Sequence, residues 1–195
     1  MSKKRGFFSK YLEFLKISKA VTIAERYFTM TVFDAIMVTL GIIIANYIVG
    51  IYDTRIVITA CFGAAIAMTV SGVWGAYITE RAERCGEVKK LERATSLTLK
   101  DSPIEKAHKF ASIFLALING LSPIIIAFII LIPVLLVPAF SVMLAYQMSM
   151  AIAFITLFVL GASLGRISKE NVLICGVEML LTGVACVIIL FLLGV

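Results

Sequence analysis

FASIFLALINGLSPIIIAFIILIPVLLVPAFSVMLAYQMSMAIAFITLFVLGASLG, residues 110–165, runs for 56 residues without one Asp, Glu, Lys or Arg. About 20 apolar residues cross the hydrocarbon core of a bilayer. The stretch is therefore long enough for two crossings, with Pro133 and Pro138 marking the break between them. Working outward, residues 56–79 carry no charge, residues 29–51 carry only Asp34, and residues 171–195 carry only Glu178. The chain reads as an all-α integral membrane protein with five transmembrane helices, near 29–51, 56–79, 110–132, 140–165 and 171–194. Composition agrees. Of 195 residues, 61% are hydrophobic and 15% charged, with a mean hydropathy of +1.05. Soluble domains run at about 45–50% apolar and about 25% charged.

The cations set the expected orientation, because Lys and Arg collect on the cytoplasmic side. Seven of the 18 lie between Lys3 and Arg26, eight between Arg81 and Lys109, and Arg166 and Lys169 separate the last two spans. Only Arg55 falls in the first outer loop. This places the N-terminus in the cytoplasm and the C-terminus outside, with the cell membrane as the expected location. The net charge of +6 is a topology signal and calls for anionic lipid rather than nucleic acid. Four segments follow: a basic amphipathic cytoplasmic stretch (1–28), two spans (29–79), a short cytoplasmic helical insert (80–109) and three spans (110–195). Phe7, Phe8, Tyr11, Leu12, Leu15 and Ile17 alternate with lysines in the first of these, in a pattern suited to a surface helix or to a plain topology anchor. The four cysteines show no CxxC spacing and imply no disulfide framework. No phosphate-binding loop, nucleophile elbow or HExxH occurs, so neither an enzyme nor a resident cofactor is expected.

The candidate functional residues are the acids that the apolar spans retain. A carboxylate in hydrocarbon costs roughly 3 kcal/mol on insertion scales, so it is kept where it meets a partner, a cation or water. Asp34 lies about 8 Å and Glu178 about 10 Å along their spans at the helical rise, which suits a shared cation site at similar depth. Cys175, Glu178, Thr182 and Ala185 form one stripe of the last span, and Asp34 shares a face with Met37, Gly41 and Ala45. Met68 lies among the small residues Ser71, Gly72 and Gly75. Carboxylate oxygen with a thioether suits Fe²⁺ or Mn²⁺ better than Na⁺ or K⁺, although a methionine in a span also serves simply as packing filler. Beyond the second span, Glu80, Glu83 and Glu87 fall on one helical face. They could collect divalent cations, or form a salt-bridged solvated surface with Arg81, Arg84, Lys89 and Lys90. Small residues repeating every four positions in the second span fit tight contact within the protomer, a dimer seam or a cavity wall.

Three segments together resemble the vacuolar iron transporter family, membrane carriers of Fe²⁺ and Mn²⁺. They are Phe33-Asp34-Ala35-Ile36-Met37-Val38-Thr39-Leu40-Gly41; Ser71-Gly72-Val73-Trp74-Gly75-Ala76-Tyr77-Ile78; and Val177-Glu178-Met179-Leu180-Leu181-Thr182-Gly183 with Leu192-Leu193-Gly194. The resemblance implies a five-helix protomer in a homodimer, a metal path at the two-fold axis between the first two helices, and proton antiport. It assigns Asp34 to the family's first-helix metal-binding aspartate. Gly72 stands where the family has a second-helix methionine, with Met68 one turn away, and Ala64 stands where it has an acid. The insert is short, leaving Glu80, Glu83 and Glu87 to act as metal collectors.

The expectation is thus a homodimeric, proton-coupled divalent-metal transporter. Metal would be captured by Glu80, Glu83 and Glu87 and bound at Asp34 with Met37 or Met68, while Glu178 serves as ligand or proton carrier. The rival is a non-transporting scaffold or partner subunit whose buried acids are interhelical bonds.

Overall fold

In a computed structural model, the described residues are 20–95, 103–137 and 141–193. They form five helices: α1 (Ala20–Val49), α2 (Thr54–Thr95), α3 (Pro103–Leu135), α4 (Val142–Ser168) and α5 (Val172–Leu192). All five are long and apolar enough to span a membrane, as the charge-free runs require. The proposed surface helix within residues 1–19, and Pro138, lie outside the described residues.

Three boundaries differ from the sequence expectation, one of them the start of α3, which lies at Pro103 rather than near 110. The first described helix starts at Ala20 rather than near 29. Glu25 and Arg26 interrupt the apolar pattern, but nothing between them and Thr29 breaks a helix. The second helix does not stop at the end of its apolar run. It continues through the acidic and basic residues to Thr95, 42 residues in all, so the first half of the expected insert is one rigid extension of α2.

Local chemistry explains the turns. Gly50 ends α1 with a left-handed φ of 73°. The amide of Ile51 donates to Asn46 O at 3.0 Å and that of Gly50 to Tyr47 O at 3.2 Å, which satisfies two carbonyls the helix end would leave open. Asp53 Oδ1 accepts from the Arg55 amide at 2.9 Å and starts α2. Ser141 caps α4 by accepting from the Leu144 amide. Asn171 caps α5, its Oδ1 accepting from the Leu173 amide at 3.1 Å. Pro123 and Pro133 both lie inside α3.

The chain divides into two units, residues 1–28 with 69–121 and residues 29–68 with 122–195. The second holds the main apolar core, built on Ile36, Leu40, Ile43, Val57, Cys61, Ile130, Leu131, Tyr146 and Leu157. Tyr146 is almost wholly buried, and its hydroxyl donates to Ile51 O at 2.9 Å, pinning α4 to the α1–α2 turn. In the same unit α4 and α5 meet along glycines. A Cβ on Gly161 would lie 2.4 Å from Cys175 O, one on Gly176 would lie 2.5 Å from the Phe158 ring, and one on Gly183 would lie 2.8 Å from Leu157 Cδ1. Lipid tails are as apolar as leucine, so close backbone approach of this kind is what holds membrane helices together.

In the first unit α2 and α3 approach as closely. A Cβ on Gly120 would run into the Val73 side chain and come within 3.1 Å of Thr69 O. Beside it Asn119 Nδ2 donates to Gly72 O at 3.1 Å, a hydrogen bond between the two helices.

Candidate functional site

The acidic residues on the α2 extension do not share one environment. Glu80 is 2% exposed and Arg84 4%, and Arg84 Nε donates to Glu80 Oε2 at 3.2 Å, one helical turn away. Tyr27, on the first turns of α1, lies beside Glu80. Glu83 and Glu87, which the 3.6-residue period places on the same stripe, are exposed. The charged face therefore serves two purposes: one carboxylate is withdrawn into the protein and two face outward. The tyrosine was missed in the sequence reading because it precedes the apolar run from which the first span was drawn.

Asp34 and Glu178 lie in the second unit, and both are exposed on the protomer surface. Among the described residues no hydrogen bond or ion pair reaches either carboxylate. Asp34 sits near the middle of α1, with exposed Val38 one turn further on and half-buried Gly41 and Ala45 beyond. Met37 and Met68 are half-buried and rest against the apolar core. Glu178 lies on α5 beyond Cys175, whose Sγ is 3.6 Å from Glu170 Oε2; Thr182, one turn past Glu178, donates to Met179 O at 2.7 Å. Among the described residues no three His, Cys, Asp or Glu side chains gather to hold a metal ion.

The small residues of α2 divide by face. Gly72 contacts Asn119 and Gly120 within the protomer, while a Cβ on Gly63 or Gly75 would meet nothing within 4 Å. Ile66, Val70, Trp74 and Ile78, spaced by four, are each more than half exposed. One side of this helix is thus bound inside the protomer and another presents both small and large apolar groups outward. The α4 pair Gly161 and Gly165, a Gly-x-x-x-Gly spacing, went unnoticed in the sequence although it is written there.

Five apolar crossing helices with carboxylates retained on the spans define a multi-pass membrane protein. A model of the VIT family matches residues 99–195, which take in α3 to α5. An uncharacterized protein of Methanocaldococcus jannaschii is 30% identical over 171 residues, covering 85% of this chain and 86% of the relative. The chain belongs to the VIT family, and that membership points to metal-ion transport across a membrane rather than to catalysis.

Proposed function

We propose that the protein is a proton-coupled transporter of divalent transition metal, of the Fe²⁺ or Mn²⁺ type, working as a homodimer in the cell membrane. Its N-terminus would be cytoplasmic and its C-terminus outside, as the distribution of Lys and Arg favours. The observation that carries the reading is the exposed, unpartnered carboxylate of Asp34 midway along an apolar span. Such a group is expensive against lipid, and a span keeps it where a cation, water or another protein surface covers it. One carboxylate is too few ligands for a metal. A second copy related by a two-fold axis supplies another Asp34 and completes the set.

In this scheme Glu83 and Glu87, joined by Glu80, attract the cation to the mouth, and the metal then binds at Asp34. Met37 or Met68 adds a soft ligand if it turns from the core, since thioether sulfur favours Fe²⁺ and Mn²⁺ over Mg²⁺. Glu178 acts as ligand or proton carrier, because a carboxylate in a poorly hydrated helix can exchange a proton for a cation.

The rival reading, a scaffold or partner subunit with structural acids, expects Asp34 to meet hydrogen-bond donors, which its own protomer does not supply among the described residues. The test is Mn²⁺ and Fe²⁺ uptake into proteoliposomes under an imposed pH gradient. Wild-type protein is expected to accumulate metal and Asp34→Asn to lose at least about tenfold in rate, as for a lost charged ligand. Equal uptake by both proteins removes Asp34 from the mechanism, and no uptake by either favours the scaffold.

A further inference from the structure

The Glu80–Arg84 pair is the feature of the α2 extension that metal collection does not by itself explain. Arginine is the largest and most weakly hydrated cation among the side chains, which suits it to a buried ion pair. Here it is spaced i, i+4 with the acid on the N-terminal side, the favourable order on a helix. The pair is almost fully withdrawn from solvent, and Tyr27 of α1 lies beside it. Glu83 and Glu87 remain open to solvent one and two turns along.

We propose that Arg84 is a built-in cation that holds Glu80 while metal is absent and is displaced when a divalent ion arrives at Glu83 and Glu87. Resting on the metal-capture reading, this gives that site a regulator: the dication competes with the guanidinium for one carboxylate. Success frees Arg84 and changes the charge beside Tyr27. The device sets a threshold, since metal must reach a concentration that outcompetes a tethered charge before the third carboxylate joins.

The experiment is Mn²⁺ binding to the full-length chain in detergent, read from the loss of the free-ion electron paramagnetic resonance signal. Arg84→Gln is expected to lower the half-saturating concentration about fivefold or more, the low end of ordinary coupling between linked equilibria. Arg84→Lys, which keeps the charge on a different head group, is expected to fall between that variant and wild type. Arg81→Gln removes an equally charged but exposed neighbour and is expected to change half-saturation by no more than about twofold, as for a solvated charge. The double variant Glu80→Gln/Arg84→Gln leaves no buried charge unpaired, so it guards against loss of folding. In it the gain should vanish, because the freed carboxylate is gone.

A structural clamp predicts the opposite pattern, with Arg84→Gln binding Mn²⁺ no better than wild type. That result overturns the proposal, as does a gain that survives in the double variant. Wild-type binding and uptake with no gain in Arg84→Gln overturns this inference alone. No Mn²⁺ binding by either protein overturns the metal-capture reading with it.

Discussion

Replacing Gly161 by alanine tests the α4–α5 seam most directly. The new methyl carbon would stand 2.4 Å from Cys175 O and 2.8 Å from Met179 Cγ, against an optimum of about 3.5–4.0 Å between carbon atoms. The nearest obstacle is backbone and cannot rotate away, so the two helices must separate by about 1 Å. A gap of that size forfeits a quarter to a half of each contact's dispersion energy, by the usual estimate of about 0.5–1 Å for such losses. Overfilling a close-packed site costs about 1–3 kcal/mol, and alanine returns about 1 kcal/mol through its better helix propensity. With backbone as the obstacle the cost lies in the upper part of that range, about 2–3 kcal/mol, and the net loss is about 1–2 kcal/mol. For a chain of this length each kcal/mol moves Tm by roughly 2–4 °C, so Gly161→Ala should melt about 2–8 °C below wild type. The assay is thermal unfolding of the purified protein in detergent, followed by the fluorescence of the single tryptophan, Trp74. Gly75→Ala is the control: its Cβ meets nothing within the protomer, and its Tm should hold or rise. Should Gly161→Ala melt at or above the wild-type temperature, the close approach of α4 and α5 described above is wrong.

Other expectations follow from single contacts. Tyr146→Phe removes the bond to Ile51 O while keeping the ring in the core. It should cost about 1 kcal/mol and lower Tm by roughly 2–4 °C in the same assay, and an unchanged Tm would show that the bond contributes nothing. Glu178→Leu replaces an exposed carboxylate on α5 with an apolar side chain, and should favour membrane insertion of that helix by about 3 kcal/mol. Glycosylation mapping in microsomes reads the inserted fraction, and no increase would mean that Glu178 does not meet hydrocarbon. If Glu178 is a ligand or proton carrier, the same variant should also slow Mn²⁺ uptake in proteoliposomes.

The helix count was legible because charge-free runs longer than a bilayer is thick have few other uses. Their ends were less so. The start of α1 was placed at Thr29 on hydropathy, which falls at Glu25 and Arg26, whereas helix geometry continues through charges until a glycine, a proline or a cap stops it. Gly50 did stop the far end, and the left-handed turn there is the ordinary consequence of its missing Cβ. The candidate site was legible in residue type but not in orientation. Periodicity aligned Glu80, Glu83 and Glu87, yet a single helix cannot reveal that the fold buries only the first and leaves the other two exposed. Asp34 was singled out by its cost in lipid, and that same argument could not say whether its own protomer or something else covers it. Gly161 and Gly165 escaped notice because attention fell on the richer run of small residues in α2, only part of which proves to be used inside the protomer.

The length of α2 has a mechanical consequence. At about 1.5 Å per residue its 15 residues beyond Glu80 make a stiff arm roughly 22 Å long, with no proline in it to act as a joint. A tilt of about ten degrees at the Glu80 fulcrum would swing the far end by about 4 Å at that rise, more than the diameter of a bare metal ion. A small event at one carboxylate is thereby magnified at the tip.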